Sequence, residues 1–208
     1  TYTIAQMADD ARAALDAAGV ERSDILAYSM GSYAAQALAA DHPERVGSMV
    51  LAGTACRHHD WRRDLLTGWA RLATERGMHV MARAAFPWLL GPRTARRHGL
   101  WINALWPLVL SQPAPAFCAQ VEALLATDDS DEARSRLSEI TAPTLVLAGE
   151  QDHLMPPSDG AETAALIPGA AFTVVPGAGH GLMLEAPADF NGAVLNFLAA
   201  QTVGTAPT

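Results

Sequence analysis

The chain alternates short apolar runs with longer amphipathic segments, and this alternation limits its fold more than any other feature. Each run has the length of a buried strand and is followed by Ser, Gly or Pro-Gly; the runs are residues 24–28, 46–52, 143–148 and 171–175. Helix-like patterns separate them, beginning with residues 3–18, where apolar side chains recur every three or four positions. Strands that alternate with helices pair in parallel, so the sequence predicts an α/β protein with a parallel sheet of about four strands.

Residues 54–126 interrupt this alternation with helical patterns that have bulky apolar faces. The first of these helices is expected to bury a face made of Trp61, Leu65, Trp69 and Leu72. Pro87 and Pro107 are expected to cut the later helices, because proline lacks an N–H and clashes with the preceding turn.

The sequence therefore predicts four parts. Residues 1–53 and 138–200 form the two halves of the core, and residues 54–137 form a helical cap inserted between the second and third strands. Residues 201–208 are mostly small and are expected to form a frayed tail.

Composition excludes several classes of function. The 208 residues are half apolar, which is enough for one domain with a sizeable core. A net charge of −8 without a basic stripe argues against nucleic acid as a partner. No apolar run is long enough to cross a bilayer and no signal-like segment opens the chain, so we expect a cytoplasmic protein without a membrane partner. The two cysteines lack metal-ligand spacing, and we expect neither metal nor cofactor.

Residues 27–31, with the sequence AYSMG, place a serine where the first strand turns into a helix. Such a turn pushes the side chain of Ser29 out at the carboxyl end of the sheet. Small residues are needed two positions to either side, because strand and helix pack closely around the bend. Ala27 and Gly31 satisfy this need, with alanine in place of one glycine of the G-x-S-x-G pattern. Alone, the pattern is also compatible with an ordinary serine in a tight turn.

Two further residues complete a possible catalytic set. Asp152 follows the third strand and His180 follows the fourth, so that serine, acid and histidine occur in the order described for one hydrolase fold. Taken singly, Asp152 could cap a turn and His180 could be a surface histidine. Their joint order after successive strands favours a catalytic role.

In these residues the chain resembles the α/β-hydrolases, most closely the cap-bearing esterases, lactonases and cofactor-free haloperoxidase-like members. The resemblance covers nearly the whole chain and is carried by YSMG at 28–31, DHPERV at 41–46, ITAPTL at 140–145, GEQD at 149–152, GH at 179–180 and EAP at 185–187. It implies an α/β-hydrolase fold in which Ser29 is the nucleophile, His180 the base and Asp152 the orienting acid. It also implies that the N–H of Met30 helps to form the oxyanion hole.

The chemistry expected of this set is serine hydrolysis. A serine hydroxyl is a poor nucleophile at neutral pH, so His180 must take its proton during attack on a carbonyl and return it to the leaving group. The tryptophans of the cap suggest an apolar, bulky ester or lactone, and we name all five as candidate substrate contacts: Trp61, Trp69, Trp88, Trp101 and Trp106.

The chain departs from the family pattern before Ser29. Several strands and a loop with a second oxyanion N–H precede the nucleophile in the family, whereas one helix accounts for the residues before the first strand here. We therefore expect the nucleophile strand to lie at a sheet edge, open to a second copy of the chain or to a complementing N-terminal segment. Two alternatives follow: a catalytically weak scaffold that associates through this edge, and a cofactor-free haloperoxidase or carbon–carbon bond hydrolase.

Overall fold

The structure, a computed structural model, describes residues 2–109, 112–127 and 130–203. In this part of the chain there are four strands: β1 (Ser23–Tyr28), β2 (Val46–Ala52), β3 (Thr144–Gly149) and β4 (Ala171–Val175). The α-helices are α1 (Ile4–Ala17), α2 (Met30–Asp41), α3 (Asp60–Arg76), α4 (Met78–Leu89), α5 (Pro92–Val109), α6 (Ala114–Leu125), α7 (Asp131–Ser135), α8 (Pro157–Leu166), α9 (Leu182–Glu185) and α10 (Pro187–Val203). Single 3₁₀ turns cover Pro43–Arg45 and Arg136–Glu139.

The four strands form one parallel sheet in the order β1-β2-β3-β4. The two central strands are almost wholly buried, as their near-continuous apolar sequences predict. Side chains of β2 alternate between the two faces of the sheet: Met49 and Leu51 pack towards α2 and α8, and Val50 and Ala52 pack towards α9 and α10. The prediction of a parallel sheet flanked by helices is confirmed.

Helices α3 to α7, which we call the cap helices, lie between β2 and β3 in the sequence. Three of them, α3, α4 and α6, share a third apolar cluster, which includes Leu66 and Trp69 of α3, Met81 of α4 and Val121 of α6. Leu154, from the loop after β3, joins this cluster and connects the cap helices to the core. The division of the chain at residues 54 and 137 stays a prediction.

Three details of the helices differ from the sequence prediction. Pro87 and Pro107 lie inside α4 and α5 and do not cut them. Both are in the last turn, where a proline removes a single helical hydrogen bond and few residues remain to be redirected. The predicted tail is also wrong at its start, because α10 continues to Val203; residues 204–208 lie outside the described residues.

Strand β1 lies at an edge of the sheet and, among the described residues, pairs with β2 alone. Leu26, near its centre, is 52% exposed on this edge strand. An apolar side chain on an edge strand favours association, because part of its surface and the outer backbone groups of the strand remain available for pairing. Association through β1 stays a prediction.

Close backbone contact at the end of β3 generates a stability prediction. A Cβ atom on Gly149 would lie 2.6 Å from the carbonyl oxygen of Ala178, in the loop after β4, whereas one on Gly192 in α10 would meet no described atom within 4 Å beyond the backbone of its own helix. We expect Gly149→Ala to lower the free energy of unfolding by about 1–3 kcal/mol through overpacking. Gly192→Ala is the matched control and should raise it by about 0.5–1 kcal/mol, because alanine is the better helix former. Urea unfolding measures both, and equal effects would contradict the close packing of these loops.

Candidate active site

Ser29 occupies a strained turn between β1 and α2. Its backbone has φ 51° and ψ −123°, and it is the one residue other than glycine with positive φ in the described part of the chain. Conformations of this kind cost about 1–3 kcal/mol and persist only where the surroundings hold them. Here the N–H of Ser29 donates to the carbonyl of Ala52 at 3.0 Å, and the hydroxyl of Ser32 donates to the carbonyl of Ser29. The turn presents the serine side chain beyond the carboxyl end of the sheet.

The imidazole of His180 lies between Ser29 and Asp152. Its Nε2 is 2.9 Å from Oγ of Ser29, and its Nδ1 is 2.8 Å from Oδ2 of Asp152. Because a carboxylate only accepts hydrogen bonds, the proton of a neutral imidazole lies on Nδ1, and Nε2 can accept the proton of the serine. The structure thus brings together the three residues that the sequence singled out, in the arrangement of a nucleophile, a base and an orienting acid.

Asp152 is fixed by the turn in which it lies. Its second oxygen, Oδ1, accepts the N–H groups of Leu154 at 2.9 Å and of Met155 at 2.8 Å. Asp152 is 3% exposed and His180 is 1% exposed, so little water competes for the hydrogen bond between them. The carboxylate therefore holds the imidazole at one oxygen while the backbone holds the carboxylate at the other.

Two residues restrict the ring of His180 from the side. Gly53, which follows β2 with φ +56°, lies so close that a Cβ atom there would be 2.9 Å from Cε1 of the imidazole. The ring of Tyr28 packs against the imidazole with 5.0 Å between centroids. Burial, and to a lesser degree the charges of Asp152 and Glu185, raises the pKa of Tyr28 above its ordinary value. The phenol therefore stays neutral in the pH range where a histidine exchanges protons.

Met30 is the first residue of α2. N–H groups in the first turn of an α-helix have no acceptor within the helix and lie at the positive end of its dipole. Such a group beside a nucleophilic serine is suited to stabilise the oxyanion of a tetrahedral intermediate. The role of Met30 in an oxyanion hole stays a prediction.

A cavity of about 430 Å³ opens over Ser29 and His180. The cap helices and the loop after β3 form most of its wall, and the side chains are largely apolar. Among them are Leu66, Met78, Met81, Ala82, Ala85, Leu89, Phe117, Val121, Leu124 and Met155. Gln112 and Gln120 supply polar groups, and the amide nitrogen of Gln112 donates to the amide oxygen of Gln120 at 3.0 Å.

The tryptophans are less concentrated at this cavity than the sequence suggested. Trp69 forms part of its wall. Trp61 and Trp88 stack on each other with 5.8 Å between centroids and border a separate surface depression, and Trp101 is 69% exposed. The side chain of Trp106 lies outside the described residues. Trp61, Trp88 and Trp101, which were expected as substrate contacts, are not among the described residues of the cavity wall, because helical periodicity does not determine which surface a helix turns towards the site. A substrate-binding role for them stays a prediction.

The sequence analysis missed Arg62, which is fully buried beside the cavity. Its guanidinium pairs with the carboxylate of Asp159 and also donates to the carbonyls of Leu154 at 2.8 Å and Arg57 at 3.0 Å. The bond to Leu154 attaches α3 to the loop that carries Asp152, and the pair with Asp159 attaches α3 to α8. The buried residues of α3 are Arg62, Leu66, Trp69 and Ala73. Trp69 was predicted to be buried, and each of the other three lies one position after a residue of the predicted face. The helical spacing contains a signal for this face, but arginine is seldom fully buried unless it is paired, and the sequence alone does not show that pairing.

Metal ligation and membrane insertion find no support among the described residues. No group of three or more His, Cys, Asp or Glu side chains there is arranged to hold a metal ion. No helix in the described ranges is both long and apolar enough to cross a membrane.

A parallel sheet that presents a serine on a strained strand-to-helix turn, with an acid and a histidine after later strands, defines an α/β-hydrolase. Over residues 2–187 the chain matches the family model described as serine aminopeptidase, S33. The chain therefore belongs to this family of α/β-hydrolases, and the resemblance found in its sequence is confirmed.

Relatives and solved structures agree with this placement. The chain is 30% identical over 200 residues to the "Putative carbamate hydrolase RutD" of Caulobacter vibrioides (strain NA1000 / CB15N), covering 95% of this chain and 72% of the relative. The enol-lactonase from Burkholderia xenovorans LB400 superimposes with a TM-score of 0.86 at 27% identity, covering 95% of this chain and 74% of that one. A thermophilic esterase from Thermogutta terrifontis has a TM-score of 0.84 at 27% identity, covering 97% and 74% respectively.

The ion pair of Arg62 generates a second stability prediction. Asp159→Asn leaves a buried guanidinium without its counter-charge, and removing one partner of a buried pair costs about 3–5 kcal/mol. Asp41→Asn is the matched control, because Asp41 pairs with Arg136 at 2.6 Å on the surface, where such pairs contribute at most about 1 kcal/mol. Urea unfolding of both variants tests this. Similar small losses would show that the buried Arg62–Asp159 pair does not stabilise the contact of α3 with α8.

Proposed function

We propose that this α/β-hydrolase is a serine hydrolase that cleaves a neutral, apolar carboxylic ester or lactone through an acyl-enzyme. The observation that carries the proposal is the position of His180, within hydrogen-bonding distance of both Ser29 and Asp152 beneath an apolar cavity. No metal or cofactor takes part in the proposed reaction.

The proposed reaction has two halves. Oγ of Ser29 attacks the carbonyl carbon while Nε2 of His180 takes the hydroxyl proton, and the N–H of Met30 donates to the developing oxyanion. The tetrahedral intermediate then expels the alcohol, which receives the proton from His180 and leaves an acyl group on the serine. A water molecule repeats the attack with His180 again as base, so the acid is released and the serine is restored. With a lactone, the alcohol and the acid belong to the same product molecule.

The charges around the cavity support a neutral substrate. Apart from His180, Arg62 is the single ionisable cation among the described residues that line it. Its charge is matched by Asp159, and two carbonyls accept further hydrogen bonds from it. Binding an anion here would bury a charge without a partner, at a large cost in free energy.

Carbamates are a second candidate class, because the curated relatives carry a carbamate hydrolase name. A neutral carbamate ester presents the same carbonyl to Ser29 as a carboxylic ester does. A carbamate anion lacks a charge partner in the described cavity wall. Within this class we therefore favour the ester over the anion.

Ser29→Ala tests the nucleophile. Loss of the hydroxyl should reduce ester turnover by at least about 10⁴-fold, because no acyl-enzyme can form. Wild-type protein should gain the mass of one fluorophosphonate group by intact mass spectrometry, and the variant should not. Ser158→Ala, at an exposed position of α8, is the control and should keep both ester turnover and labelling by the fluorophosphonate. Turnover by folded Ser29→Ala protein would refute the proposal.

The alternatives give different results in these assays. A scaffold that associates through β1 would fold without reacting with the fluorophosphonate. A cofactor-free haloperoxidase would form peracetic acid from acetate and peroxide, and a carbon–carbon bond hydrolase would cleave a β-diketone. If either activity is found and ester hydrolysis is not, the proposed ester or lactone is replaced by that substrate class, and the catalytic role of Ser29 is kept.

The preference for neutral substrates is tested with two esters of the same length. In the p-nitrophenyl monoester of adipic acid, a carboxylate replaces the terminal methyl group of p-nitrophenyl hexanoate. We expect kcat/KM for the charged ester to be at least about tenfold lower, because its carboxylate would be desolvated without a counter-charge. Equal values would show that the cavity does not surround the distal end of the substrate.

A further inference from the structure

Glu185, at the end of α9, joins two segments that are far apart in the sequence. Its Oε1 accepts the N–H of Gly179 at 2.9 Å, and its Oε2 accepts the N–H of Gly91 at 2.8 Å. Gly179 directly precedes His180, and Gly91 lies between α4 and α5 of the cap helices. One carboxylate thus links the histidine loop to the cap helices.

The two backbones approach closely at this carboxylate. A Cβ atom on Gly91 would lie 3.1 Å from the nitrogen of Gly179, and one on Gly179 would overlap the backbone of Gly91. The N–H of Gly181 donates to the carbonyl of Leu89 at 2.9 Å, on the other side of His180. The residue after the histidine is therefore bonded directly to Leu89, the last residue of α4, and the residue before it is linked through Glu185 to Gly91, two residues beyond that helix.

Helix α4 also forms part of the cavity wall. Ala82, Ala85 and Leu89 line the cavity over Ser29, and the carbonyl of Leu89 is the one that accepts the N–H of Gly181. Movement of α4 away from the core would open the cavity and, at the same time, displace the histidine loop. Misplacing a catalytic group by about 1 Å can reduce the rate by about 10²-fold.

We propose that Glu185 is a positioning residue that couples the position of the histidine loop to the position of α4. Its carboxylate holds His180 in line with Ser29 only while α4 is in place over the cavity. The inference rests on the catalytic roles of Ser29 and His180 under the proposed function. Glu185 itself does not touch the substrate or the reacting atoms in this scheme; it acts through Gly179 and Gly91.

Glu185→Gln tests this directly. Glutamine has the same size but a single acceptor oxygen, so its NH₂ group would face one of the two N–H donors. We expect kcat for p-nitrophenyl hexanoate to fall by about 10–100-fold with KM changed less than about threefold, since alignment is lost and the cavity is retained. The rate at which a fluorophosphonate labels Ser29 should fall by a similar factor, because it too requires His180.

Two further variants separate positioning from charge and from stability. Asp189→Asn removes the same charge from the first turn of α10, where the carboxylate is exposed, and should leave kcat within about twofold. Gly91→Ala places a methyl group 3.2 Å from Oε2 of Glu185 and should reduce kcat in the same way. Because both changes disrupt one contact, the double variant should lose less than the product of the two single losses.

Rates are measured per folded molecule, with the folded fraction taken from the thermal unfolding curve of each variant. Unchanged kcat and labelling rate in folded Glu185→Gln and Gly91→Ala proteins would overturn the positioning role and leave the proposed function intact. Equal losses in Asp189→Asn would assign the effect to charge and overturn it as well. Absence of labelling at Ser29 in the wild-type protein would remove the proposed function together with this inference. If Glu185→Gln does not fold, the kcat of Gly91→Ala decides.

Discussion

The parallel direction of the strands is the constraint on which the site depends. Because all four strands run the same way, their carboxyl ends meet at one edge of the sheet. Ser29 follows β1, Asp152 lies in the turn after β3, and His180 lies in the loop after β4. Gly53, after β2, contributes space for the imidazole. Residues separated by as many as 151 positions thus lie within hydrogen-bonding distance.

Parallel strands alone do not set distances to a few tenths of an ångström; the packing of the loops does. The acid loop is attached to α3 through the buried guanidinium of Arg62, and the histidine loop is attached through Glu185 to Gly91, between α4 and α5. The cap helices therefore contact both loops as well as forming the wall of the cavity. Sites of this kind require support behind each reacting group, because geometry that is loose by about 1 Å loses much of its rate.

The substrate class within this fold depends on the residues that surround the reacting carbonyl. An enol-lactonase and an esterase share this architecture, and curated relatives are named for carbamate hydrolysis. These reactions have in common an acyl carbonyl that a nucleophile can attack, and they differ in what surrounds it. In this chain the described surroundings are an apolar cavity wall that includes the buried guanidinium of Arg62, which is already paired with Asp159. That combination is the basis for proposing a neutral ester or lactone.

The sequence by itself determined the strands, the parallel sheet and the order of Ser29, Asp152 and His180, because these depend on local periodicity and on short motifs around each turn. Only the tertiary structure decided which side chains surround the site. It placed Trp69 in the cavity wall and Trp61 outside it, and it buried Arg62 on a face that periodicity had assigned one position away. It also gave Glu185 two partners, one of them 94 residues away. Such contacts depend on how helices pack across long sequence separations, and local patterns carry little information about that packing.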